Sequence, residues 1–257
     1  MKALYWTYGL SWGLALLAYA LGVRPESPAI LALGVLYMWV PGLVALLFAR
    51  REGIRLPLAF RPNRYWLLAW LFPVPLTLLS VPLSLPFGAY RGLAWTFPEG
   101  PPPLPEPLLL ALVLLQGLFA GATANLLVAL GEELMWRGYL WERVRERGFW
   151  PATLEIGFHW GLWHAPMILL FGHNYPDERL LGVPMMILFT LLLTPVLLYV
   201  REKGGSVFPA ALLHGTLNGV AGLSLVLVER TNDLLVGVGL PGLFLLALFN
   251  LWLRRRV

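Results

Sequence analysis

The amino-acid sequence predicts an all-α polytopic membrane protein, a single integral-membrane helical domain over residues 1–257. Three observations favour this fold class. Hydrophobic residues make up 58% of the chain and charged residues only 13%, whereas soluble domains carry about 25% charged residues. Apolar runs of membrane-spanning length recur along the chain. Basic residues concentrate in alternate connections between these runs.

A helix needs about 20 apolar residues to cross the hydrocarbon core of a bilayer. Eight runs of suitable length lie at residues 3–23, 28–49, 65–88, 108–131, 151–172, 183–200, 207–228 and 237–253. The first is longer than the usual signal-peptide core, so we expect a retained helix. Four prolines in the third run predict a kink or a break.

The positions of Lys and Arg predict the orientation of the bundle. With a cytoplasmic N-terminus and eight spans, fifteen of the nineteen Lys and Arg residues fall on the cytoplasmic side, as the positive-inside rule requires. Both termini are then cytoplasmic, and we expect a multi-pass protein of the plasma (inner) membrane. Because this asymmetry accounts for the net charge of +5, the expected partner is the lipid bilayer and no nucleic acid is expected.

Polar side chains within the predicted spans are few, and three spans supply them. An ionisable group at membrane depth costs about 2.5–3.5 kcal/mol or more and needs a partner or a function. The candidates are Glu132 and Glu133 in the fourth span, Glu155, His159 and His164 in the fifth, and His214 and Asn218 in the seventh. Glu155 and His159 are four residues apart and could satisfy one another. Taken alone, a membrane histidine such as His164 is more often a hydrogen-bonded packing residue.

Helical spacing suggests how the other candidates are arranged. Glu133 and Arg137 are four residues apart and can pair, which leaves Glu132 free to act as a general base. The alternative for the two acids is a solvated pair at a helix end. His214 and Asn218 share a face and could donate to an oxyanion, or could instead serve as polar contacts between helices.

Other designs of intramembrane hydrolase lack their residues. The chain has no cysteine, and its two aspartates, Asp177 and Asp233, lie in predicted loops. There is no His-Glu-x-x-His motif and no Gly-x-Ser-x-Gly motif. A glutamate–histidine arrangement is the remaining option.

Three motifs on separate predicted helices resemble the CPBP family of intramembrane proteases, the CAAX prenyl endoprotease and bacteriocin-processing family. The motif core lies at about residues 120–228. The motifs read Glu132-Glu133-x-x-x-Arg137, Trp160-x-x-x-His164 and His214-x-x-x-Asn218. Trp160 is a departure, because the family usually has Phe there.

The resemblance implies an endopeptidase that cuts a membrane-embedded or lipid-anchored protein or peptide near the cytoplasmic face. Glu132 and His164 would activate the attacking water, and Glu132 would pass a proton to the leaving amine. His214 and Asn218 would form the oxyanion site. Glu133 with Arg137 would position Glu132.

The need for a cofactor stays open at this point. Glu132, His164 and His214 could bind one divalent metal, zinc, with a water in the fourth position. The same residues also support a mechanism without metal, which the spacing of His214 and Asn218 favours.

One geometric requirement follows from the positions of Glu132 and His164. Glu132 ends its span, whereas His164 lies about 13 residues into the next, about 20 Å along a helix. We therefore expect the fourth span to be tilted, or the fifth to start outside the lipid, with a water-filled cavity open to the cytoplasm.

Two other functions compete with the protease. A non-catalytic scaffold or immunity-type protein could keep the same fold and use the polar core for stability. A small-solute transporter is less favoured, because the two halves show no matching pair of broken segments.

Overall fold

The computed structural model describes residues 2–257 except 94, 95, 97–99, 101, 230, 231 and 238. The described chain is helical without β-strands, and one antiparallel bridge joins Tyr90 and Val228. The α-helices are α1 Lys2–Ala20, α2 Ala29–Glu52, α3 Arg64–Leu71, α4 Pro73–Ser84, α5 Glu106–Ala122, α6 Ala124–Glu133, α7 Trp141–Val144, α8 Phe149–Trp163, α9 Ala165–Phe171, α10 Arg179–Gly204, α11 Phe208–Val220, α12 Gly222–Leu227 and α13 Leu240–Leu253. A π-helix, Leu134–Leu140, joins α6 to α7, and a 3₁₀ turn, Arg145–Arg147, follows α7.

Every predicted apolar run coincides with one helix or with two consecutive helices. Within the described residues, α2, α10 and the α3–α4 pair are long and apolar enough to cross a membrane. A fourth candidate joins α5 to residues 124–147, and its two parts meet at 49°. The apolar helices bear out an all-α membrane bundle, whereas eight crossings and the positions of the termini stay predictions.

Helix α11 lies at the centre of the bundle, and small residues let its neighbours approach closely. It packs against both α5 and α6. A Cβ atom added to Gly219 would lie 2.5 Å from the Gly117 carbonyl oxygen, and one on Gly121 would lie 2.4 Å from the Thr216 Cα. Close helix approach of this kind is typical of small residues in membrane bundles. The result is that residues 209–217 are all buried.

The fourth predicted span is bent. The bend falls at Thr123, between α5 and α6. After this bend, α6 packs against α2, and a Cβ added to Gly131 would lie 2.5 Å from the Met38 carbonyl oxygen. The end of α6 that carries Glu132 and Glu133 is therefore held tightly against α2.

The fifth predicted span is also interrupted. Helix α8 ends at Trp163, His164 follows, and α9 starts at Ala165 with Pro166 in its first turn. Proline lacks a backbone N–H and cannot continue the hydrogen-bond ladder of a preceding helix. His164 therefore lies at the junction of two helices.

Candidate active site

Glu133 connects the motifs of the fourth and seventh spans. Its Oε1 atom accepts a hydrogen bond from Arg137 at 3.0 Å and another from Nδ1 of His214 at 2.8 Å. The Arg137 pair agrees with the spacing of four residues. Arg137 also donates to Thr194 Oγ1 at 2.9 Å. Glu133 and Arg137 are completely buried, so this pair lies in the packed interior.

Glu132 points toward a different partner. Its Oε2 atom accepts a hydrogen bond of 2.6 Å from the indole N–H of Trp160. Its other oxygen, Oε1, receives no hydrogen bond from the residues that the structure describes. Glu132 is only 2% exposed, yet one of its carboxylate oxygens remains available to a water molecule or a substrate.

A backbone hydrogen bond fixes the protonation pattern of His164. Nδ1 of His164 lies 2.8 Å from the carbonyl oxygen of Trp160. A carbonyl can only accept, so Nδ1 must carry the proton, and the neutral ring keeps a free electron pair on Nε2. The ring therefore presents a proton acceptor away from its own helix.

His214 is oriented in the corresponding way by a carboxylate. Because Glu133 accepts from Nδ1, the Nε2 atom is the one left for chemistry. The ring centroid lies 5.4 Å from that of Trp160, and the centroid of His164 lies 5.9 Å from the same indole. Glu132, His164 and His214 thus surround one tryptophan.

Asn218 is the least engaged of the sequence candidates. It lies one turn beyond His214 on α11, but its side chain is exposed. Its amide makes no hydrogen bond to any group in the described ranges. The structure therefore places Asn218 at the edge of the site, on the side open to the surroundings.

The site is closed more tightly than expected. His164 and His214 are 8% and 6% exposed, respectively. The structure shows packed interior around these side chains instead of the expected open, water-filled cavity. A cavity of about 480 Å³ lies elsewhere, lined by Trp141, Arg145, Glu146, Phe149, Tyr199, Glu202, Lys203, Arg256 and Val257.

The residues present do not fit a metal centre. Among the described residues, no group of three or more His, Cys, Asp or Glu side chains is arranged to hold a metal ion. Nε2 of His164, Nε2 of His214 and Oε1 of Glu132 stay unengaged, but these three side chains do not converge on one point that a metal ion could occupy. We therefore derive no step through zinc at Glu132, His164 and His214.

Glu155 and His159 do not satisfy one another, contrary to one expectation from their spacing. Glu155 forms an ion pair with Arg147. The Nδ1 atom of His159 lies 2.9 Å from the hydroxyl of Tyr8. Both residues are therefore partnered outside the site.

Two members of the site were not identified from the sequence. The sequence shows Trp160 only as a departure from the family motif, because its hydrogen bond to Glu132 depends on how α8 lies against α6. The ring of His173, after α9, lies parallel to that of His164, with centroids 6.2 Å apart and planes 6° apart. Gly172, with φ of 70°, turns the chain there. The sequence signal for this turn was Gly172 directly before His173, because glycine readily adopts a positive φ.

Comparison with known families places these motifs in a family context. Residues 109–220 match the family described as Rce1-like, type II CAAX prenyl endopeptidase. This segment covers somewhat less than half of the chain and contains all three motifs. No curated protein matches the chain. The match supports the resemblance: over residues 109–220 the chain is similar to the Rce1-like proteins of the CPBP (CAAX protease) family.

Proposed function

We propose that this chain is an intramembrane endopeptidase that hydrolyses a peptide bond of a membrane-anchored or membrane-associated protein by means of water activated by Glu132 and His164. The family match supports protease activity of the CAAX type. The observation that carries the proposed mechanism is the arrangement of Glu132, His164 and His214 around Trp160.

The first step is attack by water on the scissile carbonyl carbon. Glu132 uses its unengaged oxygen, Oε1, to take a proton from the water, and His164 accepts a hydrogen bond from the same water through Nε2. The water oxygen forms a bond to carbon, and the carbonyl electron pair moves onto oxygen. Glu132 then holds the proton.

The second step is collapse of the tetrahedral intermediate. Nε2–H of His214 and the amide of Asn218 donate to the oxyanion. When the C–N bond breaks, Glu132 returns its proton to the leaving amine. Asn218 reaches the oxyanion from the exposed edge, so substrate enters from that side.

The buried charges support this role for His214. Glu132 and Glu133 bring two carboxylates into the interior against the single guanidinium of Arg137. One further positive charge therefore balances the site, and an imidazolium on His214 supplies it while its Nδ1–H stays bound to Glu133. Glu133 thus positions His214 directly and Arg137 does so through Glu133, whereas Glu132 is positioned by them only through the shared helical segment.

The substrate class follows from the family. A CAAX-type protease acts on a membrane-associated prenylated protein, so we propose a C-terminal peptide that follows a prenylated cysteine. We also propose eight spans, both termini in the cytoplasm of a plasma (inner) membrane, and a site reached from that face. The distribution of basic residues supports this orientation.

The test is cleavage of a farnesylated Cys-a-a-X peptide by purified protein in liposomes. Wild-type protein is expected to release the three terminal residues, and His164→Ala and His214→Ala are expected to lose this activity. The same peptide without farnesyl is the control for substrate class. Full activity of both histidine variants would contradict the proposed site.

One observation favours the scaffold function as a second candidate. Glu133, Arg137 and His214 are buried and bonded to one another, as a purely structural network would be. If the network serves stability alone, His214→Ala lowers the melting temperature while any measured function of the protein persists. Loss of cleavage by His164→Ala, without loss of melting temperature, favours the enzyme.

A further inference from the structure

Trp160 contacts the site through several different groups. Its indole N–H donates to Glu132, and its backbone carbonyl accepts from His164. The guanidinium of Arg137 lies 4.0 Å from the centre of the indole ring, within the range of a cation–π contact. The indole also makes a T-shaped contact with the ring of His214. One residue thus touches a member of each motif.

The indole N–H is the part of this arrangement that is particular to tryptophan. The related proteases usually carry phenylalanine at this position, and phenylalanine has no hydrogen-bond donor. A phenylalanine would keep an aromatic ring and the backbone carbonyl at this position. It could not donate the hydrogen bond of 2.6 Å to Glu132.

A buried carboxylate with a single fixed donor has a defined orientation. Trp160 is 2% exposed, and its ring contacts both the guanidinium of Arg137 and the ring of His214. Its N–H therefore cannot turn to another partner without repacking. The bond at Oε2 fixes the plane of the Glu132 carboxylate and leaves Oε1 as the oxygen for water. Carboxylate hydrogen bonds of this kind are among the stronger ones in proteins.

We propose that Trp160 is a positioning residue for the reaction, whose indole N–H aims the carboxylate of Glu132 at the attacking water. This inference rests on the proposed function, because it assigns a role within the same site. It adds to the family pattern a hydrogen bond that the usual phenylalanine cannot make.

The first test is the kinetics of Trp160→Phe, a variant that keeps an aromatic ring and adopts the usual residue of the family. We expect kcat for the farnesylated peptide to fall about 10- to 100-fold, the effect of losing one hydrogen bond to a charged group. KM is expected to stay within about twofold, because the lost bond orients the base and does not bind substrate.

Trp141→Phe is the matched control. The indole of Trp141 also donates to a carboxylate, that of Glu202, at 2.8 Å. This bond lies on the wall of the separate cavity, away from Glu132. We expect its loss to leave kcat unchanged. Wild-type kcat in Trp160→Phe, or an equal loss in both variants, would overturn the proposal.

The second test detects the hydrogen bond itself and needs no activity. In protein labelled with ¹⁵N-tryptophan, the indole resonance of Trp160 is the one that Trp160→Phe removes. We expect this resonance to shift in Glu132→Ala, which deletes the acceptor, and to stay in place in Glu155→Ala. An unshifted resonance in Glu132→Ala would overturn the proposal.

The two tests separate failure of this inference from failure of the proposed function. If the wild-type protein cleaves no peptide, the protease assignment fails, and the resonance still decides whether Trp160 holds Glu132. If Trp160→Phe does not fold, the resonance that moves most between wild type and Glu132→Ala gives the same answer. If the protein cleaves the peptide but the resonance does not shift, the proposed function stands and the role of Trp160 is refuted.

Discussion

Glu133→Ala is the perturbation with the clearest consequence for stability. Arg137 and Glu133 are both completely buried, and the carboxylate is the only acidic partner in contact with the guanidinium among the described residues. Removing the carboxylate leaves a buried charge without its counter-charge, which costs about 3–5 kcal/mol. His214 loses its partner in the same step. Glu133→Ala is therefore expected to be among the most destabilising single changes in the chain.

The assay is thermal unfolding in detergent, followed by circular dichroism. For a chain of this size, about 3–5 kcal/mol corresponds to a fall in melting temperature of about 6–20 °C. Glu155→Ala is the matched control, because Arg147, its partner, has a side chain that is 58% exposed. An exposed pair of this kind contributes about 0–1 kcal/mol.

A second substitution tests the cause of the effect. Adding Arg137→Met to Glu133→Ala removes the orphaned charge, so we expect part of the lost melting temperature to return. The reasoning is refuted if Glu133→Ala unfolds at the same temperature as Glu155→Ala. A double variant that melts at a lower temperature than Glu133→Ala would also refute it.

Three further predictions concern packing, cofactor and orientation. Gly131→Ala places a Cβ 2.5 Å from a backbone oxygen of α2 and should lower the free energy of unfolding by about 1–3 kcal/mol. Gly9→Ala is the control, because its Cβ would have nothing within 4 Å and should cause no measurable loss. Equal melting temperatures for the two variants would contradict the packing described. Cleavage of the farnesylated peptide should be unchanged after dialysis against a chelator, because the site residues do not fit a metal; loss restored by zinc would contradict this. Since the chain has no cysteine, single cysteines introduced at Arg145 and at Glu26 can report which side of the membrane each position faces. An impermeant maleimide should label position 145 from the cytoplasmic face and position 26 from the opposite face. Labelling of both positions from the same face would refute the orientation.

Much of the fold was predictable because the bilayer imposes a simple length rule. The two longest helices, α2 and α10, agree closely with the predicted runs at 28–49 and 183–200. The interruption at His164 was not predicted, although Pro166 supplies its cause. The π-helix after Glu133 was not predicted either, because the residues that form it would be equally suited to an α-helix.

The candidate site was predictable where contacts lie within one helix. The Glu133–Arg137 pair follows from a spacing of four residues. The bonds of Glu133 to His214 and of Trp160 to Glu132 join separate helices, so they depend on helix packing that spacing does not encode. The same reason explains why the exposure of Asn218 and the approach of His173 were not foreseen.

Glu132 is the residue on which the account depends most. The direct measurement is the single-turnover rate of cleavage by wild type and Glu132→Gln in the same liposomes, with melting temperatures compared in parallel. We predict a fall of about 100- to 10,000-fold, the contribution of a general base, at an unchanged melting temperature. A Glu132→Gln protein that cleaves within tenfold of the wild-type rate would contradict the account.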